Sequence, residues 1–236
     1  MCEIKIAGII SSSKYNGNTA ALVREALKGA ESKGATITEI FLPQYKIEYC
    51  KGCLACLATG KCHISDDFEN LRSMLRDTNG FVLSSPTYAY SSSAIFKTFL
   101  DRLGMFEYYT SFVFGGKYVA GISTAGRMGA DKVAKEIAGH VTCSVFKRGY
   151  VSGSLAINVG RQEASGNTAA LKKARDLGEK LVTDINQKVQ YPFQNLYNRM
   201  ICRFILQPLF LKNILNEKDG KMKGVYSELK NKGLIQ

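Results

Sequence analysis

The chain has 236 residues, of which 45% are hydrophobic and 22% are charged, a balance typical of a soluble globular domain with one sizeable core. Its net charge of +12 favours anionic partners such as phosphorylated cofactors, but no helix-turn-helix, zinc-finger or arginine-rich pattern indicates nucleic acid. The sequence shows no signal peptide and no apolar run of the about 18 residues that a membrane span needs. Its seven cysteines lack the spacing of a secreted disulfide framework, so we expect a cytoplasmic location.

The periodicity of the apolar residues predicts five strands that alternate with helices. In chain order the predicted elements are a strand at 5–11, a helix at 19–30, a strand at 35–42, a helix that starts at Asp66 and Asp67 and runs through Leu75, a strand at 79–85 closed by Pro86, a helix at 94–103, a strand at 117–123, a helix at 130–138, a strand within 144–157 and a long helix at 168–189. This alternation predicts an α/β fold with a doubly wound five-stranded parallel sheet. We expect one domain over residues 1–189 and a basic, aromatic, helical C-terminal extension over 190–236.

Ligands of a doubly wound sheet bind outside the carboxyl ends of its strands, which directs attention to three loops. The first, SSSKYNGNT at 11–19, brings hydroxyls and a lysine to a helix N-terminus, a pattern typical of a phosphate site. A polar turn capped by Asn18 or Thr19 is its alternative interpretation. The second loop, SPTYAYSSS at 85–93, offers aromatic and hydroxyl groups to a planar ring, or is an ordinary exposed turn. The third, at 123–129, has glycines that allow close approach to a flat ligand.

These motifs together resemble a known family. SSSKYNGNT and SSPTYAYSSSAIFKTFLDRL are similar to the phosphate loop and the ring-binding loop of flavodoxin-fold NAD(P)H-dependent FMN reductases, and the run into GKCHISDD resembles the branch called iron–sulfur flavoproteins. The resemblance covers about residues 4–185 and implies a flavodoxin-like fold, bound FMN and a homodimer or tetramer. By this resemblance the FMN phosphate would be held by Ser12, Lys14, Asn18 and Thr19, the ring would be lined by Pro86, Thr87, Tyr88, Ala89 and Tyr90, and the site would be closed by Thr124, Ala125 and Gly126. No side chain is singled out as a catalytic acid or base, since hydride transfer needs none.

Residues 50–62 read CKGCLACLATGKC and contain four of the seven cysteines. Three thiolates at x2 spacing can wrap a 4Fe–4S cluster, and the resemblance implies that Cys50, Cys53, Cys56 and Cys62 are its ligands. Two alternatives stay open: free or regulatory thiols without a cluster, and zinc with the neighbouring His63.

Several other polar and sulfur-containing residues are assigned structural roles. Asp66 and Asp67 are expected to begin a helix rather than to form an acid–base pair. The isolated Cys2, Cys143 and Cys202 are expected to pack, and His140 is expected to be structural or exposed.

The extension carries apolar residues at helical spacing, namely Phe193, Leu196, Tyr197, Met200, Ile201, Phe204 and Ile205. Pro208 is expected to end this helix. Such a face must be covered, and we favour a second subunit over the chain's own domain, with an anionic membrane surface as the least favoured alternative.

The predicted function is that of an FMN-dependent NAD(P)H oxidoreductase. Electrons from a reduced nicotinamide, or from ferredoxin, would pass through FMN to a small-molecule or protein redox partner. One alternative is a cluster-free quinone, azo-dye or nitroaromatic reductase. Another is a flavodoxin-like electron carrier without NAD(P)H chemistry, although such carriers are typically acidic and this chain is not.

Overall fold

The computed structural model describes residues 3–142, 144–160 and 163–235; Cys2 and Cys143 lie outside these ranges. The strands are β1 (Lys5–Ile10), β2 (Thr36–Phe41), β3 (Gly80–Tyr88), β4 (Ser91–Ser92), β5 (Tyr118–Ala125) and β6 (Tyr150–Asn158). The α-helices are α1 (Asn18–Ser32), α2 (Ala55–Thr59), α3 (Phe68–Arg76), α4 (Ala94–Thr110), α5 (Ala130–Gly139), α6 (Thr168–Gln187), α7 (Leu196–Ile201), α8 (Gln207–Asn216) and α9 (Lys223–Asn231).

Five parallel strands form the sheet in the order β2-β1-β3-β5-β6, and the two-residue β4 pairs antiparallel with the end of β3. This is the flavodoxin-like order, in which ligands bind at the β1/β3 switch point. The predicted α/β class and five-stranded parallel sheet are therefore confirmed. β1 and β5 are almost continuously apolar because both of their faces are covered, whereas the edge strand β2 alternates between exposed and half-buried residues over its first four positions.

Two helical layers cover the sheet. α1 and α6 pack on one face through residues such as Leu22 and Leu181, and α3, α4 and α5 pack on the other through residues such as Leu71 and Phe99. α1 and α6 approach each other backbone to backbone, since a Cβ on Gly178 would lie only 1.8 Å from the carbonyl oxygen of Ala26.

Two predicted element ends are wrong. β3 continues through Pro86 to Tyr88, because β1 stops pairing at Ser84 and the missing N–H of Pro86 leaves no ladder bond unmade on that side. α4 runs past its predicted end at 103 to Thr110, with a kink at Gly104 (φ 44°, ψ −139°), a conformation open mainly to glycine.

The prediction that Pro208 ends the helix of the extension is also wrong. α7 continues through a π-helical turn (Cys202–Leu206) into α8, and Pro208 lies in the first turn of α8. Pro208 lies just after the π turn, where the regular i→i−4 ladder is interrupted and the missing N–H of a proline costs least.

The extension divides into two parts. Its later part packs on the chain's own domain, in a cluster formed by Leu57, Phe106, Tyr109, Ile214, Met222, Val225 and Leu229. Its earlier part, around α7, keeps most of its apolar side chains exposed. Within the described ranges, no helix is long and apolar enough to cross a membrane.

Candidate functional site

The loop after β1 leads into an open helix N-terminus. The N-cap of α1 is Gly17, in an extended conformation, and no side chain caps the helix. The alternative that Asn18 or Thr19 would cap it is wrong, because both residues lie inside the first turn. The N–H groups of that turn are thus left without a side-chain acceptor, and with the helix dipole they favour an anion.

Three of the residues predicted to hold the phosphate surround this N-terminus in different ways. Lys14 is exposed, and its carbonyl accepts a hydrogen bond of 2.8 Å from Ser12 Oγ. Asn18 Oδ1 instead accepts from the backbone N–H of Ala164 at 2.7 Å, so this side chain holds the segment after β6 against the loop. Asn18 is therefore committed to the protein itself in this arrangement.

Hydroxyl groups connect the three loops at the carboxyl edge of the sheet. The connections are Ser93 Oγ donating to the Ser11 carbonyl at 2.9 Å, Thr19 Oγ1 paired with Thr124 Oγ1 at 2.7 Å, and Thr87 Oγ1 paired with Ser123 Oγ at 2.9 Å. Each hydroxyl carries one hydrogen, so in the buried pair of Thr19 and Thr124 one oxygen keeps its hydrogen for a further acceptor. The three loops predicted separately from the sequence form one continuous site.

The second loop is a tight β-hairpin rather than an irregular turn. β3 and β4 pair through Tyr88 and Ser91, and the two residues between them, Ala89 and Tyr90, have φ of 48° and 61°. Positive φ at both central positions is typical of a type I′ turn, and costs non-glycine residues about 1–2 kcal/mol each. The hairpin presents Tyr88 and Tyr90 with 56% and 55% of their surface exposed, and Tyr90 donates from its hydroxyl to Met128 Sδ at 2.6 Å.

The remaining predicted residues lie beside the hairpin. Pro86 and Thr124 are buried register partners on β3 and β5, and Ala125 is buried as well. Gly126 is exposed, and a Cβ built on it would meet no atom within 4 Å, so the space in front of it is open. All residues predicted to contact FMN thus lie at this edge, and their contact with the cofactor stays a prediction.

The four clustered cysteines line a second cavity of about 410 Å³. Cys50 and Cys53 are exposed, while Cys56, on the short helix α2, and Cys62 are half-buried. Cys53 Sγ lies 3.3 Å from Nδ1 of His63, which lines the same cavity. Burial raises the pKa of the Cys56 thiol, and the negative charges that Cys62, Cys53 and Cys50 would carry as thiolates raise it further.

A buried ion pair holds the backbone next to the cysteine segment, which comprises residues 50–62. Arg102 of α4 donates to Asp66 at 2.5 and 3.0 Å and to the Glu48 carbonyl at 2.8 Å, and neither charged side chain is exposed to solvent. Asp66 also accepts from the N–H groups of Glu48 and Phe68. Burial by itself would raise the pKa of Asp66, but Arg102 and the two N–H groups hold it below its usual value.

A second buried arginine fixes the other end. Arg72 of α3 donates to the Gly60 carbonyl at 2.6 Å and to Glu69 at 2.8 Å, and Glu69 accepts from the N–H of Cys62 at 2.7 Å. The carbonyl and amide groups that flank Lys61 are thereby held by one side-chain pair.

Asp66 and Asp67 lie at the start of α3, as expected, and their side chains have further partners. Asp67 is the N-cap residue, but its side chain accepts from Lys46 N rather than from the helix. Asp66 accepts from Phe68 N, and its main partner is Arg102. No local pattern in the sequence predicted that Arg72 and Arg102 support the site. A signal for the burial of Arg102 was present, because it lies on the same helical face as the buried Phe99 and Phe106.

The thiols are not gathered around a single point. No three of the described His, Cys, Asp and Glu side chains stand close enough together to hold one metal ion, as a zinc site would require. A cuboidal cluster differs, because its irons and sulfides separate the four thiolates. The donor set of four cysteines on one cavity fits such a cluster in kind and in number.

The comparisons with known proteins identify the family. Residues 4–160 match the family model described as NADPH-dependent FMN reductase. The chain belongs to this family. An iron-sulfur flavoprotein of Archaeoglobus fulgidus is 31% identical over 185 residues, covering 78% of this chain and 82% of its own length. An iron-sulfur flavoprotein of Clostridioides difficile is 26% identical over 234 residues, covering 98% of this chain and 99% of its own.

Solved structures show the same fold. A flavone reductase aligns with a TM-score of 0.62 at 18% identity, over 81% of this chain and 66% of its own. An NAD(P)H:quinone oxidoreductase from Methanothermobacter marburgensis aligns with a TM-score of 0.60 at 13% identity, over 76% of this chain and 96% of its own. Membership of the family supports an FMN-binding oxidoreductase.

Proposed function

We propose that this FMN reductase family member accepts electrons from a reduced nicotinamide or ferredoxin at an FMN site on the carboxyl edge of the sheet. We further propose that it passes them singly through a 4Fe–4S cluster, held by Cys50, Cys53, Cys56 and Cys62, to an acceptor. FMN, when bound, supplies two-electron chemistry that can be released in single-electron steps. We expect the protein to act as a homodimer or tetramer.

The observation that carries the flavin half is the convergence of the three loops at the β1/β3 switch point. The uncapped N-terminus of α1 offers backbone N–H groups to a phosphate, with Lys14 nearby as a cation. The hairpin supplies Tyr88 and Tyr90 as exposed rings for a planar ligand. Groups suited to a phosphate and groups suited to a planar ring therefore lie on one edge, as a nucleotide-like cofactor requires.

The proposal for the cysteines rests on the backbone contacts that hold both ends of the cysteine segment. Arg102 and Arg72 fix the backbone at both ends of the segment, so the thiols keep one cavity in common. Arg102 Nε is buried and donates to no partner among the described residues, and the Arg102 guanidinium, which lines the cysteine cavity, already faces the Cys62 thiol. An unsatisfied donor of this kind suits a site whose anionic thiolates would use it.

We propose that the acceptor binds in a neighbouring cavity. It has a volume of about 670 Å³ and shares Cys53, Leu54 and Met105 with the cysteine cavity. Its other walls are mostly apolar and include Tyr109 and, from the extension, Met222. The volume of this cavity lies within the range of ordinary ligand pockets. A small apolar acceptor would therefore reach the cysteines from this side.

The visible spectrum of anaerobically purified protein tests the proposal. FMN alone gives two resolved bands, whereas a cluster adds a broad absorbance and iron at a ratio of about four per chain. NADH and NADPH oxidation with an artificial acceptor tests the donor separately. Flavin bands without iron would refute the cluster and leave the flavin site standing, and a protein that takes up neither would refute both.

A cluster-free reductase is the second candidate. The contact between Cys53 Sγ and His63 Nδ1, and the exposure of Cys50 and Cys53, favour it because they are compatible with thiols that act without iron. Iron-free protein that still oxidises NADPH with a quinone would select this candidate. Flavin-loaded protein that exchanges electrons but oxidises neither nicotinamide would select a flavodoxin-like carrier.

A further inference from the structure

The part of the extension that lies away from the core has an unusual charge composition. Residues 185–216 contain no Asp or Glu, and their charged residues are Lys188, Arg199, Arg203 and Lys212. The segment includes the helical stretch formed by α7, the π turn and α8. The charge that the segment itself carries is therefore entirely positive.

The outward side of the same stretch is apolar. Phe193, Tyr197 and Phe204 are 83%, 77% and 70% exposed, and Leu196, Met200, Ile205 and Leu209 are also exposed. The inward side is apolar too, because Ile214 is buried and Phe210 packs against Tyr109. A helical stretch that is apolar on two sides needs cover on the side that the domain does not reach.

A cavity lined by arginines adjoins this outward side and shares Leu196, Met200 and Phe204 with it. It has a volume of about 400 Å³, and its charged lining residues are Arg148, Arg199 and Arg203, with no acidic residue among the lining. Within the described part of the chain none of the three guanidinium groups has a carboxylate partner. Arg148 donates to the carbonyls of Gln190 and Tyr191, and burial together with the nearby Arg199 lowers its pKa.

We propose that this basic apolar face, formed by the exposed apolar residues of 193–209 and the cavity of Arg148, Arg199 and Arg203, docks on the surface of an anionic phospholipid bilayer. The apolar side chains would enter the boundary between headgroups and acyl chains, and the arginines would neutralise headgroup phosphates. The helical stretch would lie in the plane of the membrane surface, since no described helix can cross it.

Charge decides for lipid over a second copy of this chain. A two-fold contact centred on this segment would bring its four cations close to those of the second copy, with no acid of the segment to pair with them. An anionic bilayer satisfies the apolar and the basic groups at once. The docking face includes the loop that precedes β6, at the amino end of the sheet, so it leaves the flavin loops at the carboxyl edge accessible.

Vesicle sedimentation with the full-length protein tests the proposal. The vesicles are equal parts phosphatidylglycerol and phosphatidylcholine, compared with phosphatidylcholine alone. We expect binding only to the anionic vesicles, weakened by salt. The charge variant Arg199→Glu/Arg203→Glu should bind at least about 25-fold more weakly, since each arginine near the surface contributes about fivefold. Lys172→Glu, an exposed reversal on α6, is the matched control and should bind almost normally.

The apolar contribution is tested by Phe204→Ser/Leu209→Ser, whose side chains are exposed and so should not affect folding; unchanged flavin content checks this. We expect this variant to lose vesicle binding. The proposal would be overturned if the unaltered protein did not bind the anionic vesicles. It would also be overturned if Arg199→Glu/Arg203→Glu and Phe204→Ser/Leu209→Ser both bound them as tightly as the unaltered protein. A further result would also overturn it: light scattering shows that the unaltered protein is an oligomer, that this oligomer does not bind vesicles, and that Phe204→Ser/Leu209→Ser dissociates it. A second copy of the chain would then cover this face.

Discussion

Removal of Arg102 should destabilise the protein more than removal of a cation from an exposed ion pair does. In Arg102→Met the buried carboxylate of Asp66 keeps two backbone donors but loses its cation, and the Glu48 carbonyl loses a donor. Both charged side chains are fully buried, so breaking the pair should cost about 3–5 kcal/mol, a large part of the about 5–15 kcal/mol that holds a typical domain folded. The measurement is urea unfolding of the full chain at neutral pH, followed by circular dichroism.

Two further variants make this prediction specific. Lys97→Met removes a cation from the same helix whose partner is Asp101, but both side chains are exposed, so the loss should be about 0.3–0.5 kcal/mol. Asp66→Asn/Arg102→Met removes both buried charges. Its loss in free energy of unfolding should be smaller than the summed losses of the two single variants by about 1–3 kcal/mol. Equal losses for Arg102→Met and Lys97→Met, or losses of the single variants that simply add, would refute the argument that this buried pair stabilises the fold.

The pH dependence has a definite sign. Arg102 holds the pKa of Asp66 below its usual 3.8, so the ion pair contributes fully above that pH and its contribution is lost as the pH falls below it. The difference in stability between the unaltered protein and Arg102→Met should therefore narrow on acidification and be unchanged near neutral pH. A difference that widens at acidic pH would contradict this assignment.

Three other outcomes are expected. Lys14→Ala/Thr19→Val should weaken FMN binding at least tenfold by flavin fluorescence titration, since charge-assisted bonds contribute about 1.5–3 kcal/mol each. Cys53→Ala should remove the iron and the broad absorbance but leave the flavin bands. Burial lowers the pKa of Lys117 from 10.5 to about 8, so the stability deficit from its buried charge, complete below pH 8, should be relieved as the pH rises to 10.5. The gain relative to Lys117→Met should be at most about 3 kcal/mol in pH-dependent unfolding.

Each of these outcomes has a control and a contrary result. Lys28→Ala, an exposed cation on α1 outside the loop, should leave FMN affinity unchanged, and unchanged affinity in Lys14→Ala/Thr19→Val would refute the phosphate placement. Full iron in Cys53→Ala would refute the four-ligand assignment, and Cys202→Ala should keep its iron. A flat stability difference between pH 8 and 10.5 would show that the pKa of Lys117 is not lowered in the folded protein.

The sequence by itself determined the sheet and the edge of it at which a ligand is to be expected. Both follow from local rules: strands covered on both faces read as apolar runs, such as β1 and β5, and ligands of a doubly wound sheet bind at the carboxyl ends of strands. The loop motifs could be recognised because their residues are consecutive in the chain.

Only the tertiary structure decided which distant residues support the site. Arg102 and Asp66 are 36 positions apart and meet because α4 packs beside the cysteine segment, a contact that no local pattern encodes. The continuation through Pro208 depended on the π turn before it, and the exposed side of α7 and α8 depended on which face the domain covers. Periodicity reports that a helix has an apolar face, whereas three-dimensional packing determines what that face meets.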